Sequence, residues 1–425
     1  MARGFASRLA LIVAAGLALR LAYVLVVMHH VGVTGDGAEF HILANQLARG
    51  DGYIEPLVVA PAHLPTADKP PLYPLLLALP SWLGWTSLAA HRVASCLMGA
   101  SLVAAIGLLG RRAASERVGL VAAAIAAVYP LLVGLDGSLR SESLYAPLIA
   151  LALLGAYRLV ERATLARGGL LGAAIGLAAL TRSEALLLIV LLALSLAPLL
   201  RRGGRLAPLA AAAAACALVL APWVIRNWTQ FDRPIVSTNV GSLAYGANCH
   251  SAYYTRLIGT WPCFPPLRAT PSRSEADVSA ELRRRGVDYA SDHASRLPAV
   301  AGVRLLRTWD LWSPRSATRF EAGIADRNLG TYRAGVIAYY VLLPLAVLGA
   351  VLLRRRGRSL RILLAPVVMV VLVSLFGYGT PRFRVPAEIA IVILASAAVV
   401  ELAARARPRS TRDLRDRPAT DQHVR

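Results

Sequence analysis

Long runs of apolar residues, separated by short stretches that carry arginine, dominate the pattern along the chain. Runs such as Leu9–Met28, Val336–Leu353 and Val385–Val400 approach the length of about 20 residues that crosses a bilayer core as an α-helix. Crossings are predicted at residues 9–28, 91–110, 118–135, 143–159, 169–181, 185–200, 207–225, 334–353, 361–378 and 385–403. The pattern therefore predicts an all-α polytopic membrane protein with about ten transmembrane helices.

The two shortest predicted crossings, residues 169–181 and 185–200, leave two interpretations open. At about 1.5 Å per residue they span roughly 20 and 24 Å, which is short for a bilayer core. One long crossing over 169–200 would invert the orientation of all that follows. Two short helices that meet at Thr181–Glu184, beside a water-filled cavity, are the preferred interpretation.

The distribution of arginine orients the predicted helices. Four connections (110–117, 158–168, 201–205 and 354–361) hold 14 arginines, whereas three on the other side (136–142, 182–184 and 379–384) hold 4. Cytoplasmic loops carry the excess of basic residues in membrane proteins. The chain is therefore expected in the plasma membrane with both termini in the cytoplasm and its outer loops facing outside.

Two long segments are then predicted on the outer side. Residues 29–90 form the first outer loop of a transmembrane core at 1–226, and residues 227–333 form a small extracytoplasmic domain, either α+β or irregular. Residues 334–403 supply the C-terminal transmembrane helices. Residues 404–425, rich in Arg, Asp and Pro, are expected to be a disordered cytoplasmic tail.

Local patterns predict three features of the outer segments. Phe40, Leu43 and Leu47 fall on one face of a helix. Pro70–Trp85 is apolar but too broken to span, and is suited to the membrane interface. Ser272–Glu275 matches a capping box, which predicts a helix that ends near Gly286.

Composition excludes several classes of protein. With 56% hydrophobic and 16% charged residues, the chain is neither a soluble globular protein nor a disordered one. The net charge of +22 would indicate a nucleic-acid partner if it formed one soluble patch. The basic residues are instead spread over the helix connections, so no nucleic-acid partner is expected.

The four cysteines divide by predicted compartment. Cys96 and Cys216 fall in membrane helices, where small apolar packing is the simplest role. Cys249 and Cys263 both fall in the outer domain, where a nearby pair favours a disulfide. A metal site fits less well there, because His250 is the only strong additional ligand nearby.

Ionisable residues cluster at the predicted outer ends of the helices, where their desolvation is costly and their presence informative. The acidic candidates are Asp36, Glu39 and Glu142; the basic candidates are Lys69, Arg182, Arg226 and Arg382. A bound anion would explain three arginines on the side that disfavours them. Structural pairing with Glu184, Glu388 or loop carboxylates is the alternative, and a structural pairing of the mid-helix Arg20 is as plausible as a site role.

Carboxylates beside cations, in a cavity open to lipid, suit glycosyl transfer from a lipid-phosphate sugar. One carboxylate accepts the proton of an acceptor hydroxyl that attacks the anomeric carbon. The cations stabilise the phosphate leaving group. The chain has no Asp-X-Asp motif, which agrees with a donor other than a nucleotide sugar. No cofactor is required by this interpretation; a divalent metal is compatible with it but unsupported.

Seven short motifs occur in the order typical of one family. They are Asp36, Gly50–Tyr53 (Gly-Asp-Gly-Tyr), Lys69–Tyr73 (Lys-Pro-Pro-Leu-Tyr), Ser141-Glu142, Leu180–Arg182 (Leu-Thr-Arg), Pro222–Asn227 and Arg382–Pro386. From the first helix to about residue 400 the chain resembles the membrane-embedded GT-C glycosyltransferases. The similar group is that of the protein mannosyltransferases and aminoarabinose transferases, glycosyltransferase family 39.

This resemblance implies roles for individual residues. Asp36 would be the catalytic base, with Glu142 as the second catalytic candidate, and Lys69 would contact the donor phosphate. Arg182, Arg226 and Arg382 are the further candidates for phosphate binding, and Glu39 and Tyr73 are candidates for substrate binding. Many relatives carry adjacent Asp-Glu in the first loop, whereas here Glu39 follows three positions after Asp36.

Some members of the similar group bind a metal in the first loop. His63 and Asp68 would be the candidate ligands here. Two ligands do not establish a metal site, so the metal remains undefined.

The resulting hypothesis is an inverting glycosyltransferase that moves a hexose or pentose from a polyprenyl-phosphate carrier to an extracytoplasmic acceptor. Its expected partners are the lipid-linked donor, membrane lipid and a cell-envelope glycan, lipid or protein. A flippase or transporter for lipid-linked sugars is one alternative, which would place ionisable groups near the bilayer midplane. A glycan polymerase or ligase with a diphosphate-linked donor is another.

The predicted topology is testable with reporter fusions. Fusions at Gly203, Thr270 and Arg356 are expected to report inside, outside and inside, because the arginine distribution places the second of these across the membrane. A cytoplasmic signal at Thr270 would contradict the interpretation of residues 169–200 as two crossings.

Overall fold

The computed structural model describes residues 2–56, 63–201, 206–266, 268–324 and 326–406. These residues are predominantly helical. They contain no β-strand, only the isolated bridges Ile54–Pro65 and Thr270–Arg273. The all-α fold class is therefore confirmed.

The described residues form eighteen α-helices. The first nine are α1 (Ala2–Ala22), α2 (Gly35–Arg49), α3 (Leu72–Trp82), α4 (Leu88–Ala113), α5 (Glu116–Val128), α6 (Pro130–Gly137), α7 (Glu142–Glu161), α8 (Leu165–Ala179) and α9 (Leu187–Arg201). The others are α10 (Ala207–Phe231), α11 (Asn239–Ala247), α12 (His250–Tyr254), α13 (Glu275–Asp292), α14 (Leu297–Thr308), α15 (Pro314–Ile324), α16 (Leu329–Arg355), α17 (Arg361–Phe376) and α18 (Val385–Arg405).

Seven helical segments in the described part of the chain are long and apolar enough to cross a bilayer. The pair α5 and α6, bent by 50° at a short break, is an eighth candidate. Each of the ten predicted crossings coincides with a helix, but α8 and α17 are shorter than a standard span. The protein is thus a multi-pass membrane protein.

Ion pairs mark the two ends of the helical bundle. Arg112 pairs with Glu161, and Arg356 with Glu401, at what we call the far end. The opposite end, where Asp36, Glu142 and Arg382 meet, is called the site end. The predicted arginine-rich connections around 110–117, 158–168 and 354–361 all lie at the far end.

Close contact between α8 and α10 shows the relative direction of these two helices. A methyl group added to Gly168, Gly172 or Gly176 would overlap Pro208, Ala212 or Val219, respectively. Because these contacts advance together along both helices, α8 and α10 run parallel. The intervening α9 must then return from the site end to the far end, so the two-helix interpretation agrees with the fold.

Arg20, in the last turn of α1, has a structural role. It donates to the Asp136 carboxylate at 2.8 Å and to the carbonyls of Ala126 and Ala127 at 3.1 and 2.8 Å. A buried cation needs such partners, because removal of one leaves an uncompensated charge. Arg20 therefore ties α1 to the break between α5 and α6, where the carbonyls lack helical partners.

Two sequence predictions about the 227–333 segment need correction. The cap of α13 is Ser274, which accepts from the backbone N–H of Asp277 at 3.2 Å, so the predicted cap at Ser272 is wrong by two residues. The helix also continues past Gly286 to Asp292. That glycine packs against the Ala244 backbone, where a side chain would not fit, and it does not end the helix.

The long segments are otherwise helical as well. The predicted face of Phe40 and Leu43 is buried on α2. The described part of 227–333 consists of the end of α10, α11–α15, the start of α16 and connecting turns. It contains no β-strand, so the α+β option for this segment is wrong. The predicted disordered tail falls largely on residues 407–425, which lie outside the described residues.

The predicted disulfide is confirmed. Cys249 and Cys263 are bonded, while Cys96 and Cys216 are free and buried. The bridge closes a short loop between the start of α12 and the turn that precedes α13.

Removal of this bridge is expected to destabilise the 227–333 segment. A closed loop of this length contributes about 3 kcal/mol in the chain-entropy model. The double variant Cys249→Ser/Cys263→Ser should lower the thermal midpoint, and a thiol reagent should label neither cysteine of the unreduced parent. Cys216→Ser serves as the control, and ready labelling of both Cys249 and Cys263 in the folded protein would contradict the bridge.

Candidate active site

Five separate elements bring acidic and basic side chains together at the site end. Asp36 lies in the first turn of α2, Glu142 begins α7, and Arg382 lies in the 3-10 turn before α18. Lys69 lies in the loop before α3, and Arg182 in the turn between α8 and α9. These five predicted site residues thus meet in one place, and a sixth, Glu39, joins them through Lys69.

Arg382 links the two carboxylates that are predicted to be catalytic. Its guanidinium donates to Asp36 through Nη1, and to Glu142 through Nε and Nη2. Glu142 also accepts from Arg182 at 2.7 Å. Glu142 is 1% exposed, so these two arginines supply the pairing that a buried carboxylate requires.

Asp36 is surrounded by three cations. Its carboxylate lies 3.2 Å from Lys69 Nζ and 3.2 Å from Arg140 Nη1, in addition to the contact with Arg382. Burial would raise the pKa of Asp36, but Lys69, Arg382 and Arg140 outweigh it and hold the pKa well below its usual range. Asp36 is therefore ionised at neutral pH.

Lys69 is held by three carboxylates. Its ammonium lies 2.6 Å from Asp68, 3.2 Å from Asp36 and 3.2 Å from Glu39. Burial would lower the pKa of Lys69, but the carboxylates of Asp36, Asp68 and Glu39 raise it well above its usual value. The pKa of Glu39 is raised, chiefly by burial. Glu39 thus lies beside the other carboxylates as a partner of Lys69.

The ion pairs of this cluster involve more acidic than basic residues. The cations are Lys69, Arg140, Arg182 and Arg382, and the carboxylates are Asp36, Glu39, Asp68, Glu142 and Glu184. We call this set the carboxylate cluster. An anion that enters it must compete with resident carboxylates for the same cations.

Two predicted site residues contact no member of the carboxylate cluster among the described residues. Arg226 donates to the carbonyls of Thr66 and Tyr53 at 2.7 and 2.9 Å, and it lies over the Trp223 ring. It therefore anchors the first loop. Tyr73 is fully buried, with its hydroxyl 3.4 Å from Ser95 Oγ.

Arg140 is the member of the cluster that sequence reasoning missed. It lies two residues before Glu142 and pairs with Asp36. The sequence contained a signal for it. Arg140, like Arg182, is an arginine in a predicted outer connection, where the orientation rule disfavours basic residues.

The first-loop metal site has no further support. The part of the chain that the structure describes holds no group of three or more His, Cys, Asp or Glu side chains placed to bind a metal. Asp68, one of the two candidate ligands, pairs with Lys69 instead.

Glu275 joins the first loop to the 227–333 segment. Its carboxylate accepts from the Ala67 N–H at 3.0 Å and from the Thr238 hydroxyl. Burial raises the pKa of Glu275 to about 7. The contact lies two residues before Lys69, so the segment reaches the edge of the carboxylate cluster.

A family comparison agrees with the motifs found in the sequence. The family model described as dolichyl-phosphate-mannose-protein mannosyltransferase matches residues 68–226. This range contains Lys69, Glu142 and Arg182. No curated protein matches the chain. The predicted resemblance to the protein-mannosyltransferase group is thereby confirmed for this part of the chain.

Solved structures of the Archaeoglobus fulgidus oligosaccharyltransferase share the fold. The apo form gives a TM-score of 0.55 at 14% identity, covering 94% of this chain and 51% of the other. The complex with an inhibitory peptide and a dolichol-phosphate gives 0.55 at 14%, with 94% and 50% coverage. This chain therefore spans about half the length of that protein. Its fold is GT-C-like, as the motifs predicted.

A second solved protein is more distant in fold. ArnT from Cupriavidus metallidurans, bound to undecaprenyl phosphate, gives a TM-score of 0.44 at 16% identity, covering 93% of this chain and 78% of the other.

The Glu275 contact is expected to weaken as pH rises. Because the folded pKa lies above the ordinary value of 4.5, the stability that the carboxyl contributes is fully present below that value and is lost as pH rises through about 7. The thermal midpoint should fall between pH 6 and pH 8, and Glu275→Gln should flatten this dependence. Asp288→Asn, an exposed change on the same helix, is the control; an unchanged pH profile in Glu275→Gln would contradict the assignment.

Proposed function

We propose that the chain is an inverting glycosyltransferase that moves a sugar from a polyprenyl-phosphate carrier to a hydroxyl acceptor. The observation that carries this proposal is the shared position of Asp36 and Glu142 on one guanidinium, that of Arg382, beside Lys69. A base for the acceptor and cations for the leaving group lie within one cluster. The family match over residues 68–226 supports the same class of reaction.

The proposed reaction is a single displacement. The acceptor oxygen attacks the anomeric carbon as the bond from that carbon to the phosphate oxygen breaks. The Asp36 carboxylate takes the acceptor proton, and the bonding electrons leave with the polyprenyl phosphate. Positive charge from Lys69, Arg382 and Arg182 stabilises the departing phosphate. Attack from the face opposite the leaving group inverts the anomeric carbon.

The cations around Asp36 affect its strength as a base. With three cations around it, Asp36 holds its proton weakly, which makes it a poor base. A donor phosphate that draws Arg382 toward itself removes part of that positive charge. The pKa of Asp36 then rises toward the range in which proton transfer is efficient. Donor binding and activation of the base are thereby coupled through Arg382.

The proposed orientation places the site end outside the cytoplasm. Its basis is the excess of arginine in the connections of the far end. The partners would be a polyprenyl-phosphate hexose or pentose and an acceptor in the cell envelope. The 227–333 segment, joined to the first loop by Glu275, is suited to contact that acceptor.

The function is tested with purified protein in detergent and a panel of polyprenyl-phosphate sugars, each with a pool of envelope acceptors. Release of polyprenyl phosphate, together with labelled product, is expected for one donor. Detergent removes the two membrane sides, so a flippase would yield no product. Release only from diphosphate-linked donors would support the polymerase or ligase alternative instead.

Asp36→Asn is expected to abolish transfer. Asparagine keeps the size of the side chain but cannot accept the proton, whose removal typically contributes 10²–10⁴-fold. Glu142→Gln, which only weakens the hold on Arg382 and Arg182, should have a milder effect. Turnover is measured at equal protein level, with donor binding as a separate readout. If Asp36→Asn kept normal turnover and Glu142→Gln had none, the catalytic base would be Glu142 and not Asp36.

A further inference from the structure

The far end of the bundle contains a cavity that the proposed reaction does not use. It is lined by the link between α4 and α5, the start of α5, the end of α16 and the last turns of α18. Its volume is about 110 Å³, whereas a single water molecule needs roughly 10–15 Å³. The cavity therefore has room for a group of the size of a phosphate.

Two pairs of closely packed helices form the walls of this cavity. A methyl group added to Gly119 of α5 would overlap the carbonyl of Gly107 in α4. One added to Gly349 of α16 would overlap the carbonyl of Leu394 in α18. The backbones within each pair are thus already in contact. Each wall is a closely packed unit, and the space between the two walls is preformed.

Arg358 is held at the mouth of the cavity by the way in which α16 ends. Gly357 has a φ of 72°, a left-handed conformation that glycine adopts readily. Its N–H donates to the Arg354 carbonyl at 2.9 Å, and the N–H of Arg358 donates to the Leu353 carbonyl at 3.0 Å. This pair of hydrogen bonds is a Schellman motif, which turns the chain back over the end of the helix. The backbone of Arg358 is thereby fixed beside the cavity that its side chain lines.

The cavity carries an excess of positive charge. Among the described residues that line it, Glu401 is the only acidic one, and it pairs with both Arg356 and Arg405. Arg358 forms no ion pair in the described part of the chain. Three arginines thus surround one carboxylate. An anion that enters this cavity can bind Arg358 without displacing a resident carboxylate, unlike an anion that enters the carboxylate cluster.

The position of the cavity favours an anion that belongs to a lipid. The candidate spans Leu88–Ala113, Leu329–Arg355 and Pro381–Arg405 all end beside it. Its apolar lining consists of Ala114, Val118, Leu352, Leu353, Ala397 and Val400. The preceding turns of α16 expose Val347 and Val351, which suits contact with acyl chains. Basic pockets between transmembrane helices at this depth are typical sites for acidic phospholipid headgroups.

We propose that this cavity binds the headgroup phosphate of an acidic phospholipid, held by Arg358 at its mouth, while the acyl chains remain in the surrounding bilayer. With the proposed orientation, the lipid belongs to the cytoplasmic leaflet. A zwitterionic phospholipid is disfavoured, because its ammonium group would meet the uncompensated arginines. The site is remote from the carboxylate cluster and independent of sugar transfer.

The test measures lipid binding to the purified full-length chain in detergent. Dioleoyl phosphatidylglycerol, dioleoyl phosphatidylcholine and glycerol 1-phosphate are titrated, and complexes are counted by native mass spectrometry. The variants are Arg358→Gln, Val400→Phe, which fills the cavity without a change of charge, and the control Arg355→Gln. Arg355 is exposed at the same helix end but does not line the cavity. A thermal midpoint without added lipid shows whether each variant is folded.

Phosphatidylglycerol is expected to bind the parent saturably. Arg358→Gln should weaken this binding roughly 10- to 100-fold, because it removes a hydrogen bond between charged groups. Val400→Phe should weaken it to a similar extent, because the larger side chain occupies the space of the phosphate. Arg355→Gln should bind like the parent, and phosphatidylcholine and glycerol 1-phosphate should bind weakly to all four proteins.

Three results would overturn the inference. Parent-like affinity for phosphatidylglycerol in folded Arg358→Gln or Val400→Phe would exclude this cavity as the lipid site. Equal weakening by Arg358→Gln and Arg355→Gln would mean that the arginines attract lipid only as a diffuse charge. Glycerol 1-phosphate that binds as tightly as phosphatidylglycerol would identify a site for a soluble anion instead of a lipid.

Discussion

The contact of Arg382 with both Asp36 and Glu142 is the interaction on which the site depends. It joins three elements that are remote in sequence: the start of α2, the start of α7 and the turn before α18. Two carboxylates so close together would otherwise repel each other and raise each other's pKa. The shared guanidinium, together with Lys69 and Arg140 at Asp36 and with Arg182 at Glu142, keeps both ionised. It also places the two carboxylates where a single anion can influence both. Because Arg382 is paired with both carboxylates, an incoming anion must compete with Asp36 and Glu142 for it.

The sequence predicted much of this fold because a bilayer leaves few alternatives. Each predicted crossing coincides with helical residues, in one case with the bent pair α5 and α6, since backbone groups in lipid must pair within their own segment. Asp36, Lys69, Glu142, Arg182 and Arg382 were found because charge at helix ends is costly and therefore conspicuous. Arg226 shares that signal, yet it binds the carbonyls of Tyr53 and Thr66. The sequence pattern alone cannot distinguish an arginine that donates to backbone carbonyls from one that lies in the candidate site.

What escaped prediction depends on contacts between distant segments. Arg140 lies outside the predicted motifs, and its place in the carboxylate cluster emerges only from its ion pair with Asp36. The cap of α13 was misplaced because Ser272 and Ser274 both precede an acidic residue by three positions. Gly286 resembled a helix stop, although its lack of a side chain serves the packing against Ala244. For Arg140 and Gly286 the deciding partner lies far away in sequence.

The locked contact between α8 and α10 has a mechanical consequence. The first loop is fastened to α10 by Arg226, and to the end of α8 by the hydrogen bond from Leu72 N–H to the Leu180 carbonyl. Helices in such close contact cannot slide or rotate against each other without backbone overlap. Lys69 and Arg182 therefore belong to one rigid block, whereas Arg382 lies in the turn before α18. Any widening between Arg182 and Arg382 must therefore break contacts of Glu142, which accepts hydrogen bonds from both.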